Sequence, residues 1–401
     1  MMRHMSALSD IFDDVYGYCY DMATKRDLLH DYDWLLQGPL RHRFIPDYFL
    51  VSTVGSSWWV RLLNGMSVSM GRVSMGYYVM RRFIMLMYDV QVSYARHIGI
   101  DSDEIDDMVS TRDWLLTRLV RVQRSINGWC LIELFLFAVQ WMSRVCDDCG
   151  FETMDMASIK ADLNNGALRV LQASHWEWLT SEQRFYQLLS ASSYANWLDI
   201  VVPNMMSNQA AYFSHIDGIL RGEGSCNDGL LQFLTDRPRR ILYKCDNAGE
   251  VIFDLCMIQY LIHMGHSVNI VAKQSPILND VTVEDVHALI HEQAIFSDIR
   301  RAFHDGRCCV IVANSFAMVG KYLPLVTQQY KDAYAWSDLV WLKGQGNFQT
   351  MPLFNHYRAQ YTNNYRKRLY ISFVLKSSVV ADCLKQVSND VRLGHPFQRL
   401  I

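Results

Sequence analysis

Apolar residues in the first half of the chain recur at intervals of three and four. Between Asp113 and Val122 they fall at Trp114, Leu115, Leu116, Leu119 and Val120, and between Met156 and Gln172 at Ile159, Leu163, Ala167, Leu168 and Leu171. That spacing lays a single stripe along a helix. Gln37-Gly38-Pro39, Asn127-Gly128 and Asn164-Asn165-Gly166 are the expected breaks, because these residue types favour turns. A methionine-rich stripe from Met66 to Met87 reads as packing between helices. The texture changes after the glycine-dotted stretch Arg221–Gly229. Short β-rich runs, Ile241–Cys245, Ser267–Ala272, Arg307–Ala313, Asp338–Leu342 and Leu369–Leu375, then alternate with helical segments. Alternation of this kind predicts βαβ units and a mostly parallel sheet. The expected class is α/β: an all-helical domain over residues 1–200, then a Rossmann-like α/β/α domain over 201–401.

Composition narrows the partners. Of 401 residues, 50% are hydrophobic and 20% charged, ordinary values for a globular chain with one large core or two moderate ones. A net charge of -3 lacks the basic excess of a nucleic-acid surface, so no nucleic-acid partner is expected. The most apolar run, Trp129–Met142, has 14 residues interrupted by Glu133 and Gln140. A spanning helix needs roughly 20 apolar residues, so a buried helix and no membrane partner are expected. Met1–Ser6 has no apolar signal core, which sets the expected location as cytoplasmic. Ten scattered cysteines do not suggest a disulfide framework. Cys146-Asp147-Asp148-Cys149 reads as a helix end rather than a metal or redox pair, and Cys308-Cys309 as core packing at a strand start. His263 and His266 around Gly265 read as a helix C-terminal cap favoured by the dipole. Arg366-Lys367-Arg368 reads as a solvated turn.

Candidate chemistry gathers where the β-rich runs end. The first run ends in Asp246-Asn247-Ala248-Gly249-Glu250, and the second leads into Lys273 and Ser275-Pro276-Ile277-Leu278-Asn279-Asp280. The others end in Asn314-Ser315, Lys343-Gly344-Gln345-Gly346-Asn347 and Lys376-Ser377-Ser378. Parallel strands would bring all of these to one edge, where open α/β sheets bind ligands. Alone, Asp246 or Asp280 reads as a helix cap and the Lys343 loop as a turn. Together they hold what a metal-dependent phosphatase needs. Asp246, Asn247 and Asp280 are hard oxygen donors for a divalent ion, and lysines and a glycine turn can receive phosphate.

Three ordered motifs, Asp246–Glu250, Ser275–Thr282 and Ser337–Phe348, resemble the damage-control phosphatases, as does Tyr194-Ala195-Asn196-Trp197-Leu198-Asp199 upstream. That family includes the acidic-residue methyltransferase 1-like proteins and a domain fused to some pantothenate kinases. The resemblance covers roughly residues 194–384. It implies a helical domain beside a Rossmann-like one, and hydrolysis of a small phosphorylated metabolite using one divalent ion (Mn, Mg, Co, Ni or Fe). By motif position, Asp246, Asn247 and Asp280 would be the catalytic metal ligands. Lys343, Gly344, Asn347 and Lys376 would hold substrate, with Asn314 or Ser315 near the same pocket and Glu250 contacting substrate or metal-bound water. Asn196 and Asp199 would support the site. The Ala-Gly-Glu spacing after Asn247 matches the prokaryotic-like branch, whereas Ser377-Ser378 replaces its usual Lys-Cys, which leaves the substrate open.

The leading expectation is hydrolysis of a sugar-phosphate-like monoester by metal-activated water. A covalent aspartyl phosphate at Asp246 ranks behind it, because that carboxylate is expected on the metal. Carboxyl methyl transfer from S-adenosylmethionine ranks lower, since the first βα turn is not a glycine-rich nucleotide loop. A specialised pathway enzyme using the same metal site for another reaction, and a non-catalytic sugar-phosphate sensor, are the remaining alternatives.

Overall fold

Two compact units meet in sequence at Asp155–Met156. The computed structural model describes residues 5–25, 75–126, 131–149, 154–174, 181–202, 205–223, 229–314, 326–349, 368–376, 381, 384 and 391–400. The expected break at Gln37–Pro39 and the Arg366–Arg368 turn through Lys367 lie outside the described residues.

Described helices of the first unit are α1 (Met5–Lys25), α2 (Met75–Ile98), α3 (Ser102–Ile126) and α4 (Leu131–Cys149). Their core is aromatic. Phe12 sits 5.9 Å from Phe137 and 6.3 Å from Trp141, whose indole N–H donates to Tyr88 Oη at 3.2 Å. Leu115 and Leu119 are buried as the stripe predicts, while Val120 faces outward. Met80 and Met87 are buried, in keeping with core packing; Met66 and Met70 lie outside the described residues. Cys146 and Cys149 end α4 as free thiols, and burial pushes the Cys146 thiol up to about 12. Among the described residues no helix is long and apolar enough to cross a membrane.

The second unit begins at Met156, about 45 residues before the boundary near residue 200 that the change of texture suggests. Its first helices, α5 (Met156–Ser174), α6 (Ser181–Tyr194) and α7 (Met205–Gly218), belong to the α/β unit, in which α6 lies on the sheet and α5 and α7 pack against each other. A short helix α8 (Leu230–Thr235) leads into β1 (Arg240–Lys244), α9 (Glu250–His263) and β2 (Ser267–Ala272). Then follow α10 (Val283–Glu292), α11 (Ser297–His304), β3 (Cys308–Val312), α12 (Gln328–Trp336), β4 (Leu339–Lys343) and α13 (Gln345–Gln349). β5 (Arg368–Val374) and β6 (Pro396–Leu400) complete the described strands. The order is β3-β2-β1-β4-β5-β6, parallel from β3 through β5, with β6 antiparallel on the edge. All five predicted strands are present within a residue of their expected ends, and β6 is additional. Only Phe397 of β6 is buried, so the segment carries no apolar run to announce it.

Strand order reverses between β1 and β4, the switch point at which doubly wound sheets open a ligand crevice. α9 is buried on nearly every side, because it lies between the sheet and the layer of α5 and α6. Asn164-Asn165-Gly166 does not break α5. A Cβ on Gly166 would fall inside the Phe213 ring of α7, so the glycine permits close helix packing instead of ending the helix. Two further expectations change. Cys308 packs in the core but Cys309, on the opposite face of the edge strand β3, is exposed. His266 is no dipole-favoured cation: its buried Nδ1 accepts the Arg239 N–H at 2.9 Å, and burial and the Arg239 charge lower its pKa to about 4.

Candidate functional site

The turn after β1 and the loop after β2 are knitted together by their backbones. Asp246 carbonyl accepts the Val281 N–H at 2.8 Å, Ala248 N–H donates to Asn279 carbonyl at 2.8 Å, and Asn247 bridges Asp280. Lys273 closes the loop by accepting from Val283 and donating to Val281. This ladder sets Asp280 beside Asn247. The Asn279 side chain fixes the loop to the segment after α6, donating to Leu198 carbonyl at 2.7 Å and accepting from Ile200 N–H. α9 opens at Gly249, whose φ of 77° brings its N–H to Asn164 Oδ1 at 2.7 Å.

Gly344 makes the crevice possible. At φ 75°, it lies so close to Asp246 that a Cβ would collide with the carboxyl carbon and both oxygens. The last turn of β4 and the end of β1 therefore touch through a carboxylate. Asp246 Oδ2 accepts from Asn247 Nδ2 at 2.9 Å and from Asn196 Nδ2 at 3.1 Å.

Charge is crowded here. Burial, then repulsion from Asp280 and Glu250, pushes the Asp246 carboxyl well above its ordinary range, with Lys273 and Lys376 opposing. Burial pushes Asp280 up to about 6, with Lys273 opposing and Asp199 adding repulsion. Both carboxylates are buried, and Asn247 Oδ1 is buried with no hydrogen-bond partner among the described residues. Raised carboxyls and an unmatched amide oxygen are groups that a bound cation would satisfy. Among the described residues no three of His, Cys, Asp or Glu form a metal-holding group. The oxygen donors that could hold a hard divalent ion are Asp246, Asp280 and Asn247 Oδ1.

The lysines divide into two kinds. Lys376 Nζ pairs with Asp199 Oδ2 at 2.7 Å with both side chains 15% exposed, and Lys273 Nζ pairs with Asp280 Oδ2 at 3.2 Å. These two flank the carboxylates. Lys343, expected on phosphate, instead points into the interior and is fully buried. Its ammonium meets Glu250 Oε1 at 2.7 Å, Asp254 Oδ1 at 3.1 Å, and the Ser192 carbonyl and hydroxyl at 2.9 and 2.7 Å. Three N–H donors facing four protein acceptors leave nothing for a substrate. Asp254 and Glu250 outweigh burial, which alone would lower it, and hold the Lys343 pKa above its ordinary value. Glu250 is likewise fully buried, so it meets asparagines rather than the expected substrate or water.

Asn347 is also an interior tie, its Nδ2 donating to the Cys245 and Lys343 carbonyls at 3.1 and 2.9 Å. Asn314 is buried at the end of β3, two strands from β1, where it bridges Val326. Ser315 lies outside the described residues.

The sequence matches the damage-control phosphatase ARMT1-like domain over residues 145–391. The chain belongs to this family. The damage-control phosphatase PH1575 of Pyrococcus horikoshii is 32% identical over 123 residues, which covers 30% of this chain and 38% of that protein. The uncharacterized protein MJ0202 of Methanocaldococcus jannaschii is 27% identical over 170 residues, 42% of this chain and 49% of that one. The chain thus spans less than half the length of either curated relative. A crystal structure of a DUF89 family protein, ph1575 of P. horikoshii, superposes with TM-score 0.51 at 20% identity, covering 79% of this chain and 96% of that one. The shared fold is the Rossmann-like α/β architecture described above.

Within this damage-control phosphatase domain, several participants escaped the sequence reading. Ser192 and Asp254 both lie on helices, and nothing in the local pattern marks Ser192. Asn164 looked like a turn residue. Lys273 stood beside the second strand but was not singled out. Helical spacing could have flagged Asp254, since it stands one turn after Glu250 on an otherwise apolar helix.

Proposed function

We propose that this chain is a divalent-metal-dependent phosphatase that hydrolyses a small, sugar-phosphate-like monoester. The observation that carries the reading is the buried, unpartnered Asn247 Oδ1, on a residue that follows Asp246 and bridges Asp280, two buried carboxyls whose pKa burial and repulsion raise. Asp246, Asn247 and Asp280 would hold the ion. When bound, it supplies positive charge to phosphoryl oxygens and acidifies water.

The chain's own residues do the rest. Gly344 keeps a side chain out of the space that Asp246 needs. Lys376, still partly exposed, is the cation best placed to orient a phosphate, with Lys273 behind it on the Asp280 side. Asn279 and Asn164 fix the two loop ends, so little reorganisation is needed when substrate arrives. Lys343 pairs with Glu250 and Asp254 beneath the site and takes no part in binding phosphate.

A panel of phosphorylated metabolites assayed with Mn, Mg, Co, Ni and Fe tests this. Hydrolysis should vanish after chelation, return with added ion, and be absent in Asp246→Ala. Turnover that survives both treatments, or methyl transfer from S-adenosylmethionine without phosphate release, would overturn the proposal.

A further inference from the structure

Asn247 can present its oxygen to a ligand only if its amide is held one way round. Its NH2 group donates to Asp246 Oδ2 at 2.9 Å and to Glu250 Oε2 at 3.3 Å. A flipped amide would set its oxygen against both carboxylates. Glu250 cannot move to relieve that. Its other oxygen pairs with fully buried Lys343 at 2.7 Å, and Lys343 is itself pinned by Asp254 and Ser192. Ser192 Oγ and Tyr243 Oη both donate to Asp254 Oδ1, at 2.6 and 2.8 Å, which closes the cluster against β1. Asn196 is held in the same way. Its Oδ1 accepts the Val374 N–H at 3.2 Å, so its NH2 must face Asp246 and Glu250.

We propose that Glu250, fixed by Lys343, is a positioning residue that orients the Asn247 side-chain amide so that Oδ1 faces the ligand space beside Asp246 and Asp280. Glu250 acts through Asn247 and touches no substrate. The inference rests on the metal-site reading for its functional consequence but not for the orientation itself. Outer-shell partners of this kind are worth roughly 10–100-fold in metal affinity.

The test uses the full chain labelled with 15N-asparagine, in which the Asn247 NH2 signal is identified by its loss in Asn247→Asp. In the wild type this NH2 group should exchange slowly with solvent. In Glu250→Gln, the new amide can offer an N–H to Asn247 and release its orientation, so exchange should quicken. Mn2+ affinity, read by calorimetry, should fall by roughly 10–100-fold. Should Glu250→Gln not fold, the triple variant Glu250→Gln/Asp254→Asn/Lys343→Met removes all three charges of the buried cluster together, a change such clusters often tolerate. The same quickening is expected there. An Asn247 NH2 group that exchanges as freely as exposed asparagines in the wild type overturns the proposal without any variant, as does unchanged exchange in the variants. If the wild type binds no Mn2+ while exchange behaves as expected, the metal reading falls and the positioning role stands.

Discussion

Gly344→Ala adds a single methyl group, and the structure says where it must go. The residue holds φ at 75°, a left-handed conformation that costs an alanine roughly 1–2 kcal/mol. The larger effect is steric, since the new Cβ would occupy the position of the Asp246 carboxylate. That carboxylate must swing away and lose the N–H donors of Asn196 and Asn247. Hydrogen bonds to a charged group are worth about 1.5–3 kcal/mol each, so the expected destabilisation is about 3–5 kcal/mol after partial relaxation. Displacing a reacting group by about an ångström costs on the order of 100-fold in rate, or about 2.7 kcal/mol. Gly306→Ala supplies the control. Its φ of 67° imposes a similar backbone penalty, yet no atom lies within 4 Å of the added Cβ. Denaturant unfolding, Mn2+ calorimetry and kcat/KM on the best substrate should separate the two variants. Gly306→Ala should lose about 1 kcal/mol and keep its metal affinity. If Gly344→Ala behaves in the same way, the contact between the β1 and β4 turns is not what the site depends on.

Lys343→Ala and Lys376→Ala should fail in opposite ways: the first leaves Glu250 and Asp254 buried and uncompensated and costs about 3–5 kcal/mol in unfolding free energy. Lys376→Ala should stay folded and raise KM by roughly 10–100-fold, the worth of a charged hydrogen bond; a larger stability loss than that of Lys343→Ala would reverse the assignment. Asn164→Ala removes the acceptor of the Gly249 N–H and should lower stability by about 1 kcal/mol in thermal melts, with an unchanged melting curve counting against the cap. His266, with a pKa near 4 against an ordinary 6.5, contributes stability above pH 6.5 that is lost as pH falls towards 4, because its protonated Nδ1 would face the Arg239 N–H. Allowing for solvent screening the effect is about 2 kcal/mol, and urea titrations at several pH values should show this slope disappearing in His266→Asn, whose amide oxygen can still accept.

Much of the sheet was legible from the chain alone. The β-rich runs between residues 241 and 375 are short, apolar and bounded by polar turns, which is how strands buried on both faces read. β6 was not legible, because one buried residue in five leaves no periodic signal. The division of helices between units was not legible either. α5 and α6 have the same texture as α3 and α4, and only packing against α9 and β5 assigns them to the sheet.

The candidate site divides along the same line. Sequence by itself determined which residues stand at the strand ends, and hence that Asp246, Asn247, Asp280 and a set of lysines share one edge of a parallel sheet. It did so because strand ends and turns are set by local chemistry: apolar runs, glycines and polar caps within a few residues. Tertiary structure alone decided which way each side chain points. Lys343 and Lys376 look alike in sequence, each a lysine at a strand end, but one meets Glu250 and Asp254 in the interior and the other meets Asp199 near the surface. Those partners lie from 89 to 177 residues away along the chain, and two of them sit on the helix α9. A buried charge goes where an opposite charge can accompany it out of water, and that location is a property of the packed layers, not of any segment read alone.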